Sequence, residues 1–177
     1  ILNNSATDGA GIDVNSNSTS STNAITFNNC SIVQNTADEY AGVLLQSEMP
    51  VTFNNCFFSD NEVISDYGQN SAFYIGSPGS SPGKVTIKNS IFRDNKFDSG
   101  NWNQNKTVIF TYSSKLELSN VILDSNECRD YSTGDIGNVI RCDAQHDSDS
   151  LIFNNVKILN NNSSGIRFQS NSNSMQN

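Results

Sequence analysis

The chain has 177 residues, 35% hydrophobic and 16% charged, with a formal net charge of −8 and a pI near 4.4. That acidity argues against nucleic acid or an anionic membrane surface as a partner. No apolar run approaches the roughly 20 residues of a membrane span and the N-terminus carries no signal-like pattern, so direct membrane insertion by this segment is not expected.

The first elements, Ile1-Leu2-Asn3-Asn4 and Gly11-Ile12-Asp13-Val14, match the end and the closing strand of a unit that then recurs five times. Ile25-Thr26-Phe27-Asn28-Asn29-Cys30-Ser31-Ile32-Val33-Gln34-Asn35 returns as V-T-F-N-N-C-F-F-S-D-N from Val51 and V-T-I-K-N-S-I-F-R-D-N from Val85. It returns again as L-E-L-S-N-V-I-L-D-S-N from Leu116 and L-I-F-N-N-V-K-I-L-N-N from Leu151. Apolar residues hold the first, third, sixth and eighth places, which predicts two short strands joined at a bend. A third strand follows in each unit: Gly42-Val43-Leu44-Leu45-Gln46-Ser47, Ala72-Phe73-Tyr74-Ile75-Gly76-Ser77, Val108-Ile109-Phe110-Thr111-Tyr112-Ser113, Val139-Ile140-Arg141-Cys142 and Gly165-Ile166-Arg167-Phe168-Gln169-Ser170.

Helices are excluded because no stretch keeps an i, i+3, i+4 apolar pattern, and the abundant Asn and Ser suit bends. The expectation is an all-β, right-handed single-stranded parallel β-helix with three short strands per coil. It has five coils, starting near 25, 51, 85, 116 and 151, plus a partial first one. Handedness follows the general preference of parallel crossovers. Residues 1–177 read as a single segment of a longer solenoid, since the chain opens within a unit and neither end shows a capping element.

Two columns are Asn in every unit: Asn29, Asn55, Asn89, Asn120 and Asn155 at the fifth place, and Asn35, Asn61, Asn95, Asn126 and Asn161 at the eleventh. Asn tolerates left-handed backbone and its amide can bond the Asn of the next coil, so both columns are read as structural ladders. Cys30 and Cys56 share the inward sixth column of adjacent coils, at a spacing within disulfide reach. Parallel side-chain directions there favour buried thiols. Cys128 and Cys142 could tie a loop to its coil, and the even cysteine count fits an oxidising compartment. Asn3, Asn17, Asn29, Asn105, Asn161 and Asn162 satisfy the N-x-S/T rule, and Asn17 and Asn105 are the glycosylation candidates because both fall in loops.

Phe58-Ser59-Asp60-Asn61 and Phe92-Arg93-Asp94-Asn95 carry the tetrapeptide F-x-x-N, and Ile32 to Asn35, Leu123 to Asn126 and Ile158 to Asn161 repeat it with an aliphatic in place of Phe. In this the chain resembles the repeats of the chlamydial polymorphic membrane proteins, which pair F-x-x-N with G-G-(A/I/L/V) and have relatives in some protists. Ala41-Gly42-Val43 is the nearest form of the second motif here. The resemblance spans nearly the whole chain and implies an adhesin-like β-helix displayed at a cell surface.

Loops between second and third strands, Thr36 to Tyr40, Glu62 to Asn70, Lys96 to Lys106 and Glu127 to Gly137, vary in length and should emerge along one edge. That edge would carry Tyr40, Tyr67, Trp102 and Tyr131 among Asp38, Glu39, Asp66, Asp98, Asp130 and Asp135. Flat rings beside carboxylates suit sugars, acidic loops suit calcium, and rings that merely pin loops to the coil are the plainer alternative. The seventh column, Ser31, Phe57, Ile91, Ile122 and Lys157, should face outward, making Phe57, Ile91 and Ile122 an apolar stripe for another chain or domain, unless a loop covers it.

Polysaccharide cleavage would need paired acids, for which Asp60 and Asp94 beside Arg93 are the best residues, but repeat drift produces such a pair easily. His146 is the only histidine, so neither a histidine metal cluster nor a Ser-His-Asp set can be assembled, and Ser77 to Gly83 reads as a turn rather than a phosphate loop. No catalytic residue, metal or cofactor is expected. The sequence predicts a non-enzymatic, glycosylated cell-surface or extracellular module that adheres to other protein chains or surface glycans through its loop edge. A structural subunit of an extracellular or ciliary filament or larger assembly is the main alternative, and a polysaccharide lyase or hydrolase the third.

Overall fold

The computed structural model describes residues 1–16, 24–64, 71–76, 83–97, 106–112, 114–128, 137–145 and 149–170. Among them the secondary structure is all β, and every strand pairing is parallel.

Three sheets result, because each repeat pairs in register with the one before and the one after. In the first, Ile25–Asn28, Val51–Asn54 and Val85–Lys88 align and meet Lys115–Asp124. Ser31–Val33, Phe57–Ser59 and Ile91–Arg93 also meet that long strand, so both arms of the repeat belong to one sheet. Ser150–Leu159 pairs along nearly the whole of Lys115–Asp124. The last sheet stacks Ile12–Ser16, Tyr40–Ser47, Ser71–Gly76, Thr107–Tyr112, Asn138–Ala144 and Ser164–Ser170.

The strand count differs from the expected three. Repeats beginning at 25, 51 and 85 contain four, because Thr36–Ala37, Glu62–Val63 and Lys96–Phe97 form a sheet of their own with Ser5–Ala6. The repeats from 116 and 151 instead fuse their first two arms, and only a bridge at Glu127 and Asn162 continues the short sheet. A two-residue strand is too short to show an alternating pattern, so sequence periodicity could not reveal it.

The interior is made of columns in which like side chains lie on like. Val51, Val85 and Leu116 fill the first column, Phe53, Ile87 and Leu118 the third, and Ile32, Phe58, Phe92 and Leu123 the eighth, all buried. Phe27 stacks on Phe53 with centroids 4.7 Å apart, and Phe58 on Phe92 at 4.4 Å. Phe73 from the last sheet meets Phe53, Phe58 and Phe92 edge-on at 5.1, 5.4 and 5.8 Å, which couples the two walls. Offset and edge-to-face rings contribute beyond their buried area.

The eleventh-column ladder is the polar counterpart of this core. Asn35, Asn61, Asn95 and Asn126 are fully buried. Each Oδ1 accepts both the backbone N–H and the amide N–H of the Asn one repeat earlier, at 2.8 to 3.2 Å. The second amide hydrogen of Asn61, Asn95 and Asn126 goes to the carbonyl of Ile32, Phe58 and Phe92 respectively. In Asn61, Asn95 and Asn126 both amide hydrogens and the amide oxygen are bonded, which is what allows a polar column inside an apolar core.

The two Asn columns differ in backbone. Fifth-place Asn29, Asn55, Asn89, Asn120 and Asn155 all have φ between 51° and 56°. At the second corner the left-handed residue is the tenth: Gln34, Asp60, Asp94, Ser125 and Asn160 have φ between 53° and 56°. The eleventh-place Asn is therefore selected by its amide rather than by its φ, a distinction that a uniform Asn column conceals.

Candidate functional site

The connections between the short sheet and the last sheet share one edge. On one side Ala37, Val63 and Phe97 are in register, and on the other Tyr40, Ser71, Thr107 and Asn138. The chain therefore leaves and rejoins the sheets along the same two columns through 38–39, 64–70, 98–106 and 129–137. In the final repeat Ser164 begins the next strand directly after Ser163. Gly137 N–H donates to the Cys128 carbonyl at 2.6 Å, closing the neck of one connection. A Cβ on Gly137 would meet the Lys106 and Cys128 carbonyl oxygens, so only glycine fits where two necks touch. Lys106 itself is buried at its neck.

Of the four rings expected on this edge, Tyr40 is described; Tyr67, Trp102 and Tyr131 lie outside the described residues, as do Asp66, Asp98, Asp130 and Asp135. Tyr40 is half-buried and packs on Tyr74 with centroids 4.5 Å apart and the rings tilted by 39°. Tyr74 continues to Phe110 at 5.5 Å, and the Arg141 guanidinium sits 5.5 Å from the Phe110 ring. Arg141 pairs with Asp143 through two bonds, Nε to Oδ1 at 2.8 Å and Nη2 to Oδ2 at 2.6 Å.

These residues form an apolar cluster on the face of the last sheet opposite the main core, with Leu44, Tyr74 and Phe110 buried. Sequence reasoning missed it, although a signal was present. Ala41-Gly42-Val43-Leu44-Leu45, Ala72-Phe73-Tyr74-Ile75 and Val108-Ile109-Phe110 do not alternate, and strands without alternation are buried on both faces.

Burial dominates the electrostatics of this face. It pushes the Tyr40 phenol far above its ordinary value and that of Tyr74 up to about 12, with the neighbouring Tyr112 and Glu39 adding to the latter. Burial also raises the Glu39 carboxyl; the Tyr40 hydrogen bond opposes this, and Asp8 and Asp38 reinforce it. A phenol whose folded pKa exceeds its unfolded value of 10 stabilises the fold fully below pH 10 and loses that contribution as pH rises through about 12. Between pH 9 and pH 12 the wild type should therefore lose about 2–3 kcal/mol more stability than Tyr74→Phe, read from urea midpoints at each pH. Equal losses would mean that Tyr74 is not desolvated.

The seventh column is in register as Ser31, Phe57, Ile91, Ile122 and Lys157. Phe57, Ile91 and Ile122 are partly exposed between the exposed Ser31 and Lys157, so the three apolar side chains form one short stripe.

Asp60 and Asp94 are placed by their left-handed corner. Ser59 donates to Asp60 at 2.6 Å, while Arg93 pairs with Asp124 at 3.2 Å. Asp124 is held below the usual carboxylate range, mainly by the Asn160 amide, with Ser125 and Arg93 contributing. The exposed fifth-place ladder runs from Asn55 to Asn29 at 2.7 Å, Asn120 to Asn89 at 3.1 Å and Asn155 to Asn120 at 2.9 Å. It steps sideways once, where Asn89 donates to Asn54 at 3.0 Å. All four cysteines are unpaired. His146 and the glycosylation candidates Asn17 and Asn105 lie outside the described residues.

The geometry defines an all-β repeat protein of in-register parallel sheets, with its variable connections gathered on one edge. Compared with family models, curated proteins and solved structures, the chain finds no match.

Proposed function

We propose that the chain is a right-handed single-stranded parallel β-helix, related to polymorphic membrane protein repeats, that works without catalysis as a cell-surface or extracellular adhesion module. It takes surface glycans on the edge that carries the connections. The observation that supports this reading is the register: connections of unequal length start from one column and end in another, as expected where a regular scaffold displays variable binding loops. The sequence of these connections includes Tyr67, Trp102 and Tyr131, whose rings suit sugar faces, and aspartates whose carboxylates suit sugar hydroxyls.

A second reading, a structural subunit of an extracellular or ciliary filament, is favoured by the Phe57, Ile91 and Ile122 stripe. Negative-stain electron microscopy of the purified protein separates the two. The adhesion reading expects dispersed rods whose state is unchanged by Phe57→Ser, Ile91→Ser and Ile122→Ser together. Regular filaments that dissolve in the triple variant would overturn it in favour of the structural role.

A further inference from the structure

Cys30 and Cys56 are neighbours in the sixth column, bracketed by the aligned pairs Asn28 with Asn54 and Ser31 with Phe57. Each follows a left-handed Asn, and Phe57 N–H donates to the Cys30 carbonyl at 2.9 Å, holding the two corners together. The Cys30 thiol lies 3.4 Å from the Asn28 carbonyl. The Cys56 thiol lies 3.5 Å from the carbonyl of Asn54 in its own repeat and 3.5 Å from that of Phe27 in the preceding one. Its sulfur therefore sits in the seam between the repeats, on the side of Cys30. Parallel side-chain directions favoured two thiols over a bond, and both are free thiols here, with the Cys56 sulfur leaning toward the preceding repeat.

The pair is also unequal in access. Cys30 is partly exposed, whereas Cys56, Cys128 and Cys142 are buried. Burial pushes the Cys56 thiol up, and Cys128 and Cys142 likewise, so none of these is the thiol that an external reagent meets first. Cys142 is contacted by Thr111 at 3.9 Å rather than by another thiol.

We propose that Cys30 and Cys56 form an oxidation site at which a low-molecular-weight disulfide joins two adjacent repeats covalently, with Cys30 reacting first and Cys56 resolving. The Cys30 thiolate attacks one sulfur of the reagent disulfide, forming a mixed disulfide and expelling one reagent thiolate. The Cys56 thiolate then attacks the Cys30 sulfur, forming the Cys30–Cys56 bond and expelling the second. Two protein thiols are oxidised, one reagent disulfide is reduced to two thiols, and the two protein protons pass to the expelled thiolates.

The link has a structural consequence. Ile25–Asn28 lies at one end of the strand order of its sheet and is an edge strand among the described residues, while Ser31–Val33 at the other end is flanked only by Ile1 to Asn3 through one bridge at Leu2 and Val33. Edge strands open most readily, and a bond from Cys30 to Cys56 ties them to the interior.

The test is incubation with oxidised glutathione, alkylation of remaining thiols, cleavage at glutamate and non-reducing mass mapping. Glu39 and Glu48 lie between the two cysteines, so the link appears as joined peptides lighter by two hydrogens than their sum. The expected result is that joined pair, with Cys128 and Cys142 alkylated only after unfolding, and slower amide exchange across residues 25–33. In Cys56→Ser, glutathione should remain on Cys30, and in Cys30→Ser, Cys56 should stay unmodified. Stable glutathione on Cys30 of the wild type, a link involving Cys128 or Cys142, or modification of Cys56 in Cys30→Ser at the wild-type rate would overturn the proposal. The wild-type map alone decides the question if either variant fails to fold.

Discussion

Replacing Asn95 with alanine should lower stability by about 3–5 kcal/mol, among the largest effects open to a single polar substitution here. Asn95 is fully buried, and its Oδ1 accepts the Asn61 backbone N–H at 3.1 Å and the Asn61 amide at 3.0 Å. Its own amide donates to Asn126 at 2.8 Å and to the Phe58 carbonyl at 3.1 Å. Alanine strands two buried donors of Asn61, each costing about 1–3 kcal/mol, and removes one donor from each of two acceptors. Asn95→Asp keeps the acceptor for Asn61 but buries a charge, so that variant should regain stability as pH falls and the carboxyl protonates. The control is Asn28→Ala, which removes only the exposed acceptor of a 3.3 Å bond from Asn54 and should cost less than about 1 kcal/mol. Urea unfolding of the three variants checks the set. A loss below about 1 kcal/mol for Asn95→Ala would mean that water replaces the ladder.

Phe58→Ala should cost a similar amount, about 3–5 kcal/mol. Phe58 is 1% exposed, stacked on Phe92 and edge-on to Phe53 at 5.5 Å and to Phe73 at 5.4 Å. It lies where the walls meet, so its removal leaves a cavity bordered by three rings of two adjacent repeats that cannot all collapse into it. Phe58→Leu restores most of the volume and should cost less than about 1.5 kcal/mol. If both variants unfolded at the same urea concentration, ring packing between the walls would not be what stabilises this region.

These effects rest on features that the sequence displayed to different degrees. The columns of Phe27, Phe53 and Ile87, and of Ile32, Phe58 and Phe92, were legible because parallel in-register pairing sets equivalent residues side by side. Repetition in sequence thus becomes adjacency in space. The buried ladder was legible as an Asn column for the same reason. Its division of labour was not: the residue that turns the second corner is Gln, Asp, Ser or Asn, a mixture that shows tolerance of left-handed backbone but no single letter.

The short sheet through Thr36–Ala37 was invisible because two residues carry no period. The outer cluster of Leu44, Tyr74 and Phe110 was visible in principle, since those strands lack the alternation of a strand with one solvated face. Of the edge that carries the connections, the sequence could show where insertions interrupt the repeat. It could not show that Tyr40 would pack against Tyr74, because that contact joins residues from successive repeats through an irregular register at Ser71 and Phe73. The connections are insertions that obey no column, and a repeat pattern constrains only what repeats.

The most direct test of the proposed role is a glycan array probed with the wild type and with Trp102→Ala, the two first matched for urea midpoint. The account predicts that the wild type retains a discrete set of glycans and that Trp102→Ala binds them at least about tenfold more weakly, as loss of a central aromatic anchor should produce. Retention of no glycan, or equal binding by both proteins, would contradict the assignment of the loop edge as the adhesion surface.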